Sequence, residues 1–323
     1  MKRYLIPCLI ILFIVSCNQH KKTPAIITAT LNGPSAMAMI RMIEEKPFIE
    51  GNIPTEYIIK NEPGQVRAML LEGKIDFAMV PSTMAALLYN KEKKYILAAI
   101  PVWGTLYLFG TDTSIHTWKD LKGKKISLMA RGMSPDIVFR YLAIRNGLDP
   151  EKDMLLDYSF PSHIELANAI AAEVSDLGVI SEPLVTLVMQ KNTSVRPLMD
   201  LNAEWQNNFG DSIPFPQTAL LVKRELAEKS PSLVDEYLSL LRESIEWVNQ
   251  NPSDASVLIV KHNILPDTLS ALNSIPRCNL KYSDAYQEIA GIKEYLKVFY
   301  IFNPMIIGGK MPDEKFFYKK QAN

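Results

Sequence analysis

Glu72-Gly73-Lys74-Ile75-Asp76-Phe77-Ala78-Met79-Val80-Pro81 and Glu173-Val174-Ser175-Asp176-Leu177-Gly178-Val179-Ile180-Ser181-Glu182-Pro183 are two versions of one pattern. In each, an Asp enters a short apolar run, and a small or polar residue opens the segment that follows. A short apolar run bounded by turn residues reads as a buried strand. Two such units in one chain predict two lobes of similar construction.

Around the first copy, apolar runs alternate with amphipathic stretches. Ile26 to Leu31 reads as a strand broken by Gly33-Pro34-Ser35, with a helix over Ala36 to Glu45. Thr55 to Ile59, Ile75 to Val80 and Tyr95 to Ile100 read as further strands, separated by helices that start near Asn61 and at Ser82-Thr83. Short connections between alternating strands and helices predict a largely parallel α/β sheet. The alternation restarts at Leu106 to Gly110 and continues through Lys124 to Met129, a helix from Ser134 to Asn146, and Leu177 to Ile180. Asn202 to Pro216 reads as a polar loop, Thr218 to Val222 as a strand, and the remainder as mostly helix. Tyr237 and Trp247 fall in a long amphipathic helix and read as core. The expected architecture is an α/β, two-lobed fold with a ligand cleft between the lobes. Residues 25–107 with 216–323 would form lobe 1, and residues 108–215 lobe 2.

The N-terminus bears on the compartment. Lys2 and Arg3 precede an almost wholly apolar run from Tyr4 to Val15, which ends in Ile14-Val15-Ser16-Cys17. The run has the length of a signal-peptide core and is too short to cross a bilayer as a helix. A branched apolar residue, a small residue and then Cys resemble a bacterial lipobox. Residues 1–16 are therefore expected as a lipoprotein signal peptide, Cys17 as the lipidated first residue, and residues 17–24 as a tether. Stable anchoring requires more than one acyl chain.

The chain of 323 residues is 48% hydrophobic, enough for a large core near the size where one core divides into two. Removal of Lys2 and Arg3 lowers Lys+Arg from 35 to 33 against 35 acids. This balance gives no electrostatic basis for nucleic-acid binding. Cys278 is the one cysteine left after Cys8 and Cys17, so the processed chain has no intramolecular disulfide. The four His residues stand apart with no metal-ligand spacing, and no metal or cofactor is expected.

Asp120-Leu121-Lys122-Gly123-Lys124-Lys125-Ile126, Gly147-Leu148-Asp149-Pro150-Glu151-Lys152-Asp153, Glu182-Pro183 and Pro216-Gln217-Thr218 occur in that order. The set resembles the binding proteins for aliphatic sulfonates, taurine, nitrate and thiamine precursors, over roughly residues 25 to 265. The chain departs from that pattern at Glu173, where the family usually has Gly, and at Leu177, where it has a small residue. The resemblance implies a type II periplasmic-binding fold and a non-enzymatic role: an extracytoplasmic lipoprotein of an ABC importer, periplasmic or cell-surface. It would act as a monomer, with a small-molecule ligand and a membrane permease as partners. Some relatives of this fold are enzymes of pyrimidine or menaquinone-precursor chemistry, and a ligand sensor is a third reading.

Ligands of open parallel sheets sit beyond the carboxyl ends of strands, where helix N-termini offer unpaired N–H groups. Ser35, Ser82 and Thr83 there would donate hydroxyls and N–H groups to ligand oxygens, or simply cap helices. Arg131 would clamp a sulfonate, carboxylate or phosphate, or form a surface salt bridge. Glu182 suits an amine, an amidine or hydroxyls, or acts as a structural cap. Trp103 precedes Gly104-Thr105 at the expected crossing and either stacks on a ligand ring or packs in the core. Arg131 favours an anion and Glu182 a cationic group, and both readings stand at this level. His163 reads as a helix-start residue. The lipobox reading carries its own test: Cys17→Ser should release the protein from membranes or leave its signal uncleaved, as read by mass spectrometry of the membrane fraction.

Overall fold

A computed structural model describes residues 25–129, 131–209 and 215–320. The expected signal peptide, Cys17 and the tether lie outside the described residues. Four strands come first: β1 (Ile26–Leu31), β2 (Thr55–Lys60), β3 (Phe77–Pro81) and β4 (Tyr95–Trp103). Five follow: β5 (Leu106–Gly110), β6 (Lys125–Ser127), β7 (Leu155–Asp157), β8 (Leu177–Ser181) and β9 (Arg196–Asp200). The chain then returns with β10 (Pro216–Lys223) and β11 (Leu280–Asp284).

These strands form two sheets, ordered β11-β4-β10-β3-β1-β2 and β7-β6-β8-β5-β9. Without the edge strand β11, the first sheet reads β2-β1-β3-β10-β4 and matches the second position for position. β3 and β8, the two copies of the quoted pattern, occupy the same place. β1, β2 and β3 are parallel, as are β6, β7 and β8. The strands next to a crossing, β10 and β5, run antiparallel to their neighbours. The largely parallel sheet expected from the alternation is thus a mixed one. The reason lies in the register. Thr218, near the start of β10, faces Pro81 at the end of β3, and Leu106, the start of β5, faces Ser181 at the end of β8. Both sheets point the carboxyl ends of their parallel strands at the crossing, so a strand entering from the crossing must run against them.

The central strands are buried on both faces, and all nine residues of β4 are buried, while the edge strands β2, β7, β9 and β11 are partly open. Pro101 within β4 has no N–H to donate, and the register of β4 with both β10 and β11 is irregular around it. The helix Pro231–Gln250 covers the first sheet with Leu233, Val234, Tyr237, Leu238, Leu241, Ile245 and Val248, the spacing of one apolar helix face. Tyr237 stacks on Phe77 with ring centroids 3.7 Å apart, and its hydroxyl lies 2.9 Å from Thr28 Oγ1. The C-terminal segment closes against the same sheet, where Tyr318 N donates to Leu97 O at 2.8 Å.

Two segments depart from expectation. Asn202 to Pro216 was expected as a loop, yet Leu201–Phe209 is helical. Leu201, Trp205 and Phe209 recur every four residues, and Trp205 is fully buried against Phe209, Phe215 and Tyr295. Its polar faces hid this stripe; residues 210–214 lie outside the described residues. The strand β11 falls in the C-terminal region expected to be mostly helix. The turn at Glu173 does take the left-handed conformation that favours Gly, at φ 57°, and its carboxylate accepts from Asn192 Nδ2 at 2.9 Å.

Gly110 ends β5 where a Cβ would lie 2.0 Å from the backbone O of Asp176. Gly110→Ala therefore cannot be relieved by a side-chain rotation. It should lower unfolding free energy by about 1–3 kcal/mol or more, measured as a shift in the chemical-denaturation midpoint.

Candidate functional site

The link Gly104-Thr105 joins β4 to β5 and is held from both units. Thr105 N donates to Gln217 Oε1 at 2.7 Å, Glu182 N donates to Thr105 O at 3.0 Å, and Asn279 Nδ2 donates to Gly104 O. A Cβ on Gly104 would meet Asn202 Oδ1 at 2.6 Å and Phe215 Cδ1 at 2.7 Å, so only Gly fits there. Around this link gather the loops that follow β1, β3 and β8. Ser35 Oγ lies 3.4 Å from Thr218 Oγ1, and Thr218 pairs with Pro81, the residue before Ser82. Ser82 opens the helix Ser82–Glu92, and both it and Thr83 are buried. Across the seam, a Cβ on Gly33 would lie 3.6 Å from Pro183 Cδ, so the β1 and β8 loops meet.

Ser82 Oγ and Thr105 Oγ1 are buried and have no hydrogen-bond partner among the described residues. A buried polar group left unpaired costs about 1–3 kcal/mol. Such atoms are the exception in folded proteins and mark places where a missing partner fits.

Glu182 stands on the opposite wall, fully buried. Its Oε1 accepts from Arg277 Nε; its Oε2 accepts from Thr186 Oγ1 at 2.9 Å and Thr186 N at 3.2 Å. Arg277 Nη2 also donates to Thr186 Oγ1 at 2.6 Å. Burial pushes the Glu182 carboxyl above its ordinary value, against the opposing pull of Arg277 and Thr186. Tyr107 and Cys278 lie close enough to feel this pair, and burial pushes both up, so both are neutral. Cys278 is a packed residue with no thiolate character.

Trp103 stands beside the link, while Arg131 and His163 are engaged by other surroundings. Trp103 ends β4, is buried, and donates from Nε1 to Lys281 O at 2.8 Å. With Asn202, Gln206, Asn249 and Asn279 it walls an open cavity of about 480 Å3 on the flank of the crossing. Arg131 follows the carboxyl end of β6; its side chain is 61% exposed, pairs with Glu151 at 2.9 Å, and lies over the Tyr158 ring. His163 begins the helix His163–Ala171, and burial pushes it down to about 4, leaving it neutral. Among the described residues no group of His, Cys, Asp or Glu is placed to hold a metal ion, and no helix is long and apolar enough to cross a membrane.

Sequence reasoning missed Arg277, Thr186 and Gln217 as members of the site. Gln217 carried a signal, since it sits in the quoted Pro216-Gln217-Thr218. Arg277 carried none, because it reaches Glu182 across 95 residues of chain.

Arg277→Met should leave Glu182 buried without its counter-charge. Loss of one partner of a buried pair costs about 3–5 kcal/mol. The carboxyl would then rise further, so the protonated acid is tolerated at low pH. As pH rises through that folded-state value, the native form must bury an unpaired charge, and stability falls. The destabilisation measured by denaturant titration should therefore be small below the ordinary carboxyl value of 4.5 and grow towards neutral pH.

Known proteins share this architecture. An ABC transporter protein from Parabacteroides distasonis superposes with a TM-score of 0.80 at 28% identity, covering 92% of this chain and 99% of that one. The periplasmic aliphatic sulphonate binding protein SsuA from Escherichia coli gives 0.72 at 16% identity, covering 93% of each chain. The periplasmic nitrate-binding protein NrtA from Synechocystis PCC 6803 gives 0.56 at 16%, covering 78% of this chain and 70% of that one. At such identities the last two show the fold alone. The putative binding protein YtlA of Bacillus subtilis (strain 168) is 22% identical over 148 residues, 46% of this chain, so the match spans only 42% of that relative's length. The family described as NMT1/THI5 like matches residues 48–255, most of both sheets. With its two like-ordered sheets and the loops gathered where they meet, this chain belongs to the NMT1/THI5-like family.

Proposed function

We propose that this chain is the extracytoplasmic solute-binding component of an ABC importer, which captures a small molecule between two lobes and catalyses nothing. The lobes would follow the expected division, residues 25–107 with 216–323 and residues 108–215, save that Leu106 and Tyr107 go with β5 to the second lobe, so that the boundary passes through Gly104-Thr105. The carrying observation is the pair of buried hydroxyls, Ser82 Oγ and Thr105 Oγ1, left without partners where the carboxyl ends of both sheets converge. Ser35, Thr83 and Thr218 stand beside them. Hydroxyl donors of this kind suit a solute rich in acceptor oxygens: a sulfonate, a carboxylate, nitrate, or the carbonyl of a pyrimidine-like ring. Because Glu182 is engaged by Arg277, the solute meets these donors before it meets a free carboxylate. This favours an acceptor-rich solute over a cation. The sulphonate- and nitrate-binding names of the structural neighbours support the same class. Lobe closure would exclude water and strengthen each polar contact. Cys17 would carry the lipid that holds the protein at the membrane beside its permease.

A thermal-shift series of the processed protein against sulfonates, carboxylates, nitrate and pyrimidines tests the reading. A solute at about a hundred times its Kd should add roughly 2.7 kcal/mol of apparent stability. For that solute, Ser82→Ala and Thr105→Val should each weaken binding about three- to tenfold by calorimetry, the loss of one hydrogen bond. Unchanged affinity in both variants would remove the seam as the binding site.

A further inference from the structure

Glu182 and Arg277 belong to opposite sides of the seam. Glu182 follows β8 of the second sheet. Arg277 lies in the turn Ile275–Arg277, between the helix Thr268–Ser274 and β11, the edge strand of the first sheet. A second polar contact runs parallel to theirs: Ser270 Oγ donates to Gln190 Oε1 at 2.5 Å, joining the helix Thr268–Ser274 to the helix Leu184–Lys191 behind Glu182. The two helices are in contact along this line. Asp267 fixes the Ser270 end by accepting from Ser270 N at 2.7 Å.

The charges are unequally placed. The Glu182 side chain is wholly removed from water, whereas that of Arg277 keeps 33% of its surface exposed. From its own unit Glu182 receives only the neutral Thr186 donors, and its other ionisable neighbours, Tyr107 and Cys278, are uncharged. Among the described residues, Arg277 is the cation that faces it. Bringing the units together therefore strips water from a carboxylate, and the guanidinium from the other unit is what replaces it.

We infer that Glu182 and Arg277 form a charge lock between the lobes, in which each charge tolerates closure only when the other is present. The lock acts without solute. It deepens the solute-binding reading, on which it rests only in that the two units must be able to move apart. Loss of Arg277 makes the closed arrangement costlier by the burial of an unpaired Glu182, and part of the population opens to return that carboxylate to water. Loss of both charges restores closure, because nothing remains that needs hydration. A merely structural side chain would not give this reversal.

The test is a distance measurement on the full processed protein after dialysis, with no solute added. Spin labels on keto side chains are placed at the exposed positions of Asn52 on the first unit and Lys152 on the second, and the distance is read by pulsed dipolar spectroscopy. Arg277→Met should add a longer-distance population, and the double variant Glu182→Gln/Arg277→Met should return the distribution towards wild type. Glu182→Gln alone leaves Arg277 partly in water and folds more readily, so it supplies a second reading. It should lengthen the distance less than Arg277→Met does. Distributions identical to wild type in both single variants, or a double variant as open as Arg277→Met, would overturn the lock. Because no solute takes part, either result leaves the thermal-shift outcome standing on its own.

Discussion

Each sheet is completed by a strand whose direction is set at the crossing. The pairing of Thr218 with Pro81 and of Leu106 with Ser181 puts the starts of β10 and β5 against the ends of β3 and β8. With those two registers in place, the carboxyl ends of the parallel strands in both sheets must face the same region. The helix starts that follow β3 and β8, and with them Ser82, Thr83 and Glu182, are brought there as a consequence. Gly104 is required for the same reason, since the link has to pass between Asn202 and Phe215 without a side chain. The candidate site is thus a product of strand direction more than of any local motif.

Strand positions were legible in the sequence because doubly buried strands are continuous apolar runs. Tyr95 to Ile100 needs no partner information to be read as buried. The quoted repeat also located the strands that hold equivalent places in the two sheets. What escaped reading depended on partners distant in the chain. The direction of β10 cannot be read from Thr218-Ala219-Leu220-Leu221-Val222, which is apolar in either orientation. The helix Leu201–Phe209 looked polar because Asn202, Glu204, Gln206, Asn207 and Asn208 outnumber the three residues of its apolar stripe.

The site was legible in its hydroxyls and less so in its charges. Serines and threonines after buried strands mark helix starts, and helix starts of this sheet type face the crossing, so Ser35, Ser82 and Thr83 followed from position. A charged side chain is long, and its partner decides where it goes. Arg131 turns to Glu151 and the Tyr158 ring, while Arg277, placed after a short helix with no distinguishing pattern, turns to Glu182. Glu182, read from the sequence as a partner for a cationic ligand group or as a cap, meets a different arginine inside the protein.

The ends of the described chain have a mechanical consequence. β1 lies within the first sheet, and Tyr318 is bonded to Leu97 of β4 in the same sheet. The second unit is therefore an insert in the chain of the first, entered through Gly104-Thr105 and left before β10. A pull applied between Ile26 and Tyr318 loads the first sheet directly and reaches the second unit only through its contacts with the first.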